Sequence, residues 1–317
     1  MQSDPLNMSN DLLKMVGIAF KKIREQSGHS QEALAGNITN RETISNIENG
    51  KQIPRLAILV PLLERMGTSL NRFLPYVLGI DDHEFFALRE QVNFMLMDDN
   101  ADQVPALMEK LQATPKFQKD RLRRQFYYSC MAVVGLQRGD ETEDIRKHLK
   151  DAIMQTIPNF DEDNIDVLPL SGDEVEIMVM MSELYEQEGQ MDQAIALLQK
   201  LMQNIRRLTY DINEKARSLA VIARYLSSYL GMSGKYKEAL AVCDEAIETS
   251  HNGRVYEILP LLALNRACSL FYIGKEEEAK TQAQLAYYTS IQHGSKGVAK
   301  HIKDTIFRRL GFEIKDV

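Results

Sequence analysis

Ser30-Gln31-Glu32-Ala33-Leu34-Ala35, followed by Glu42-Thr43-Ile44-Ser45-Asn46-Ile47-Glu48-Asn49-Gly50, decides how the first part of this chain folds. Ser30 is a helix N-cap, and Leu34 and Ala35 supply the buried face of the short helix that follows. Gly36-Asn37-Ile38-Thr39 is rich in residues that tolerate the backbone angles of a tight turn. Thr39 with Glu42 makes a capping box for the next helix, and Asn40 is an equally good cap. Ile44 and Ile47 point inward at i, i+3, and Gly50 ends the helix. This is the spacing of a helix-turn-helix, whose second helix fits the DNA major groove.

Leu12 to Gln26 reads as a preceding helix, with Leu12, Val16, Ala19, Phe20 and Ile23 on one stripe and Gly28 stopping it. Arg55–Met66 and Ser69–Leu78 read as two closing helices. On the second motif helix, Arg41, Glu42, Ser45, Asn46 and Asn49 face outward. Arginine bonds guanine edges in bidentate fashion and asparagine does the same with adenine, so Arg41 and Asn46 are the expected base readers. Gln31 and Asn40 at helix N-termini, and Lys51 just beyond the reading helix, are expected to hold phosphates. Thr43 and Ser45 complete the expected DNA-binding set. Glu42 is repulsive near phosphate, so capping is its expected role.

The charge distribution agrees with that placement. The chain of 317 residues carries a net charge of −7, but residues 1–75 are net +2 and the remainder net −9. An acidic body repels phosphate, so DNA contact belongs to the first segment. Hydrophobic residues make up 44%, enough to bury more than one core, and the scarcity of proline (nine) favours helix. Cys130, Cys243 and Cys268 form neither a metal spacing nor a disulfide framework, which suits a reducing compartment. The six histidines are scattered, and no phosphate loop or nucleophile elbow occurs, so neither enzyme activity, metal nor cofactor is expected. The N-terminus lacks signal-peptide character and no apolar run reaches a membrane span, so the expected site is the cytoplasm, with no membrane partner.

Beyond residue 81 three segments align: Gly189-Gln190-Met191-Asp192-Gln193-Ala194, Gly234-Lys235-Tyr236-Lys237-Glu238-Ala239 and Gly274-Lys275-Glu276-Glu277-Glu278-Ala279. Seven residues before each glycine sits a small residue: Ser182, Ser227 and Ala267. Gly139 begins a fainter copy, with Asp144 where alanine is expected. Successive turn glycines lie 50, 45 and 40 residues apart, more than the roughly 34 of the usual repeat, so longer helices or loops are expected.

These motifs carry two resemblances. Residues 18–74 resemble the Cro and lambda-repressor type of helix-turn-helix, and Asn37 to Ser45 look closer to PlcR-like regulators. The glycine-and-alanine segments resemble tetratricopeptide repeats. That implies an all-α chain: a five-helix head, then a right-handed solenoid of helix pairs. In the repeat family the first helix of each pair lines a concave groove. In the register of the glycines, Phe126, Arg224, Ser228, Asn265, Phe271 and Tyr272 border it and are the candidate peptide-binding residues. Asn265 and Arg224 suit a peptide backbone or carboxylate, and the aromatics suit apolar side chains; equally, the aromatics fit a core and Asn265 fits a bond to a neighbouring helix.

The whole arrangement is similar to the Rap, Rgg, NprR, PlcR and PrgX superfamily of quorum-sensing receptors. The resemblance implies a homodimeric, cytoplasmic transcription regulator whose partners are operator DNA and a short signalling peptide. Expected boundaries are a disordered tail at 1–10, the head at 11–78, a linker helix at 79–98, the repeats at 99–294 and a capping helix at 295–317. Two other readings stay open: repeats that bind a protein such as a response regulator, or repeats that only dimerise a constitutive repressor.

Overall fold

The computed structural model describes residues 5–77, 80–97, 101–208, 211–294 and 296–314. Those residues form α-helices and short 3₁₀ turns, with no strand among them. The chain divides into two compact units, 1–91 and 92–317.

The first unit holds α1 (Pro5–Gln26), α2 (Gln31–Ala35), α3 (Arg41–Glu48), α4 (Leu56–Arg65) and α5 (Leu70–Val77). The five expected helices are present. The first begins at Pro5, seven residues before Leu12 and inside the segment 1–10 expected to be a disordered tail. Proline suits a first helical turn because its missing N–H would have no partner there. Phe20, Leu34, Ile44, Ile47, Leu62 and Leu63 are fully buried, and Phe20 meets Phe73 edge-on at 6.5 Å. α1 crosses α3 so closely that a Cβ on Gly17 would lie 2.5 Å from the Ile47 carbonyl oxygen. No other residue fits there.

α6 (Ile80–Met97) spans the boundary between units, where a linker helix was expected. The second unit continues with α7 (Val104–Gln112). Four pairs follow: α8 (Arg121–Arg138) with α9 (Thr142–Met154), α10 (Gly172–Gln187) with α11 (Met191–Arg207), α12 (Ile212–Met232) with α13 (Tyr236–Asn252), and α14 (Leu259–Tyr272) with α15 (Glu276–Gln292). Gly139, Gly189, Gly234 and Gly274 make the four turns within pairs, at φ of 72°, 76°, 75° and 87°. A side chain is strained at such angles, which is why glycine recurs.

The small residues sit at the helix contacts. Ser182, Ser227 and Ala267 on first helices and Ala194, Ala239 and Ala279 on second helices are essentially inaccessible. The first pair solves the same problem differently. Asp144 is exposed, and the next residue, Ile145, is buried against Gly135 of α8, where a Cβ would come within 2.9 Å of its Cγ1. The small residue has moved to the facing helix.

The long repeat spacing has two sources. α12 has 21 residues and α11, α13 and α15 have 17 each. Between α9 and α10 the chain also adds a 3₁₀ segment, Glu162–Val167, pinned by Asn204, whose amide donates to the Ile165 carbonyl at 2.7 Å and the Leu168 carbonyl at 2.8 Å. α16 (Lys296–Leu310) was expected only to cap the stack. It packs on both α14 and α15, as the first helix of a further pair would. Successive first helices α8, α10, α12, α14 and α16 touch one another, while the second helices make no comparable contact. A stack closed on one side and splayed on the other curves, with the first helices on its inner face.

Two tests follow from this packing. Ala239→Leu should overfill the α12–α13 contact and cost about 1–3 kcal/mol, read as an earlier urea transition of the full chain. Burial pushes the thiol of Cys243 up to about 12 and that of Cys268 up to about 11. All three cysteines are buried, so they should resist alkylation at pH 8 until denaturant is added. Unfolded thiols lose their protons near about 8.5, so this contribution to stability is whole below that pH and fades as pH climbs through the folded values.

Candidate reading face and inner-face cleft

α3 is positioned by a charge cluster that joins three segments. Arg24 on α1 donates from Nε to Glu48 Oε1 at 2.5 Å and from a terminal nitrogen to Oε2 at 3.2 Å. Its other terminal nitrogen donates to the His29 carbonyl at 2.7 Å. Gln31 Nε2 donates to the same Glu48 carboxylate at 2.8 Å. The two charged side chains are only 11% and 4% exposed. The bond to Glu48 is the largest influence raising the Arg24 pKa. Arg65 works similarly on the turn, donating to the Leu34 carbonyl at 3.0 Å and to Asn37 Oδ1 at 3.1 Å. Neither arginine stood out in the sequence, because the side-chain partners Glu48 and Asn37 and the Leu34 carbonyl all lie more than twenty positions away.

Of the two possible caps of α3, Asn40 is the one used: its Oδ1 accepts from the Thr43 amide at 2.8 Å. Glu42 stays exposed in the first turn, where its charge suits the helix dipole without closing a capping box. Ile44 and Ile47 face the core, so Arg41 with Ser45 and Glu42 with Asn46 form the outer i, i+4 rows. Asn40, Arg41 and Lys51 are exposed; Thr43, Ser45 and Asn46 are half-buried. Asn49 donates to the Ser45 carbonyl at 2.8 Å, which tightens the end of α3. Gln31 differs from the rest of the set: its amide nitrogen is engaged by Glu48.

In the second unit the structure brings together part of the expected peptide-binding set. Ser228, Asn265 and Tyr272 line a cleft between α12, α14 and α16. Asn265 Nδ2 donates to the Arg224 carbonyl at 2.7 Å and to Ser227 Oγ at 2.9 Å, so it ties α14 to α12. Tyr272, 46% exposed, stacks on Tyr236 with centroids 4.7 Å apart. Arg224 lies beside the cleft, its guanidinium 4.8 Å from the Tyr225 ring centroid. Burial pushes the Glu183 carboxyl up, against the opposing pull of Arg224 and the Tyr225 hydroxyl. Phe271 packs against the core of α14–α16, and Phe126 is buried in α8 at 8% exposure; the cleft includes neither. Arg309 and Tyr236 line it without having been singled out. Arg309 would have been found had α16 been read as a first helix.

A roomier cavity of about 360 Å³ lies elsewhere, between α9, the 3₁₀ segment and α10. Leu149, Phe160, Met181 and Leu184 give it apolar walls. Arg146, held by Glu188 at 2.5 Å, and Tyr185, whose hydroxyl donates to Glu162 at 2.9 Å, close its rim. Burial and the Glu162 charge push the Tyr185 hydroxyl up to about 12.

Residues 20–73 match the Helix-turn-helix family. No curated protein matches the chain. Among solved structures it is similar to PlcR from Bacillus thuringiensis in complex with the peptide PapR7 and DNA, at 18% identity, covering 91% of this chain and 99% of that one, with a TM-score of 0.66. It is similar to ComR from S. thermophilus in complex with DNA and its signalling peptide ComS, at 15% identity, 94% and 100% coverage and a TM-score of 0.55. The Streptococcus dysgalactiae SHP pheromone receptor Rgg2 matches at 13% identity, 92% and 99% coverage and a TM-score of 0.56. The chain has the fold of these proteins. No helix among the described residues is long and apolar enough to cross a membrane.

Arg24→Met should strand the Glu48 carboxylate and cost the head about 3 kcal/mol, and adding Glu48→Leu should recover much of the loss. Differential scanning calorimetry of the full-length variants checks this; equal melting of wild type and Arg24→Met would remove the cluster from any structural role.

Proposed function

We propose that this chain is a cytoplasmic, homodimeric transcription regulator that reads operator DNA with α3 and senses a short signalling peptide on the inner face of its helix pairs. The observation that carries this reading is the joining of an exposed reading helix to stacked pairs in one chain, with the fold of two regulators solved together with DNA and a peptide. Arg41 and Asn46 are the base readers, with Thr43 and Ser45 beside them. Lys51 and Asn40 meet phosphates, and Gln31 meets one from a position set by its bond to Glu48. Ser228, Asn265 and Tyr272 contact the peptide at the cleft, and Arg224, Phe271 and Phe126 support them from beside or beneath the inner face.

Two reading helices address a palindrome when they sit one helical turn apart, about 34–36 Å. A peptide that prefers one curvature of the stack shifts the population of dimers that meet this spacing. The positive balance of residues 1–75 supplies the non-specific attraction, while the acidic remainder stays off the duplex.

The test is in two parts. Duplexes selected from a random pool should share a palindromic element. Arg41→Ala should then weaken binding by about 1–3 kcal/mol and relax base choice at one position per half-site, and Lys51→Ala should lower the salt slope by about one per subunit without changing the selected bases. Retention of wild-type base choice by Arg41→Ala would remove it from the reader set. For the body, a synthetic peptide from a short secreted open reading frame beside this gene should give binding heat in calorimetry and alter the protein's affinity for the selected duplex. Heat without any change in DNA affinity would sever sensing from regulation.

A further inference from the structure

The cleft on the inner face has a chemistry more specific than a general peptide groove. Ser227, Ser228 and Gly231 of α12 and Ser269 of α14 give it a floor of small, polar residues, and Arg309 reaches it from α16. Its free volume is about 10 Å³, the space of a single water-sized group. A group the size of an oxygen matches that space. The charge it favours follows from the lining. Arg309 is the only charged residue lining the cleft among the described residues, and no carboxylate lines it. Arg309 makes no ion pair among the described residues, whereas its neighbour Arg308 pairs with Asp304 at 3.7 Å. Asn265 has both its amide protons committed to α12, and Ser269 Oγ donates to the Asn265 carbonyl at 2.9 Å. Ser227 Oγ donates to the Arg224 carbonyl at 3.3 Å, which leaves the Ser228, Tyr236 and Tyr272 hydroxyls beside Arg309 as the donors for a ligand.

Positive charge also reaches His301 on α16, whose imidazolium is disfavoured by burial and then by Arg224, Arg308 and Arg309, against the opposing pull of Asp304. The inner face has the opposite character further back. α10 carries Glu176, Glu183 and Glu186, with Glu176 exposed and Glu183 and Glu186 half-buried.

We propose that the cleft between α12, α14 and α16 captures the C-terminal carboxylate of the signalling peptide, with Arg309 as its counter-ion, so that the peptide runs with its amino end toward α10. This rests on the peptide-sensing reading above and adds to it a polarity and a requirement for a free terminal carboxylate. One carboxylate oxygen occupies the cleft, and the other faces Arg309 at its mouth. Arginine suits this role because its planar fork matches a carboxylate.

The test uses the full chain and two matched pools of random heptapeptides, one with free C-terminal acids and one with C-terminal amides. Retained peptides are identified and quantified by mass spectrometry. Free-acid peptides should be retained about tenfold better than their amides, the size of one lost charge-assisted bond. Arg309→Gln should abolish that preference while melting like wild type, and Arg309→Lys should keep part of it. Equal retention of acids and amides overturns the carboxylate assignment and leaves peptide sensing standing. Retention of amides only when they carry Asp or Glu moves the captured group to a side chain and also overturns it. Retention of neither pool overturns the sensing reading and this inference with it. The comparison of acid with amide on wild-type protein needs no variant, so a folding defect in Arg309→Gln cannot mask the answer.

Discussion

Helix backbones in the second unit must come close enough to leave no room for a branched side chain, and the rest of the architecture follows from that constraint. At Ser182, Ser227 and Ala267 on one side and Ala194, Ala239 and Ala279 on the other, side chains of one or two heavy atoms are fully enclosed. Each close contact fixes the angle within a pair. Each successive pair then meets the one before it through its first helix, which packs on both earlier helices, while the second helices make no comparable contact with one another, and the stack bends. The inner face exists because of this inequality. Its polar cleft exists because α12 presents Ser227, Ser228 and Gly231 there rather than larger residues.

The head obeys a different constraint. Its recognition helix is too short to hold its own direction, since eight residues make barely two turns. Direction is imposed from outside: Gly17 lets α1 lie against the end of α3, and the Arg24–Glu48–Gln31 cluster sets its roll and its distance from α2. A nearly buried ion pair is a weak source of net stability, because desolvation cancels much of the attraction. It is a strong source of geometry, since any displacement strands a charge away from water. A reading helix needs that geometry more than it needs extra stability.

The sequence disclosed what is local or periodic. The cap at Ser30, the inward Ile44 and Ile47, and the glycines at 139, 189, 234 and 274 all act within a few residues of themselves, and all sit where their patterns placed them. Features that depend on distant partners were not legible. Arg24 finds Glu48 across 24 positions, and Asn265 finds Arg224 across 41. Asp144 looked like a broken repeat because the small residue compensating for it, Gly135, lies on the facing helix. Arg309 stayed hidden behind the assignment of α16 as a cap, although its packing on α14 makes it a wall of the cleft. Phe126 was legible as helical spacing but not as side of the helix: it is buried on α8, which does not line the cleft.

Coupling between ligand and curvature has a physical basis in the same residues. Asn265 holds α14 to α12 through the Arg224 carbonyl and Ser227, directly beneath the cleft. A carboxylate bonded to Ser228 on α12, Tyr272 on α14 and Arg309 on α16 spans three first helices at once. A ligand shifts an equilibrium only by the difference in its affinity for the two states. A ligand contacting one helix has almost no such difference, since a helix is the same object in either curvature. A ligand bridging three has a large one, because its bond lengths can be ideal in only one stacking. The chemistry that selects a small anion at this position therefore also gives that anion mechanical leverage on the stack.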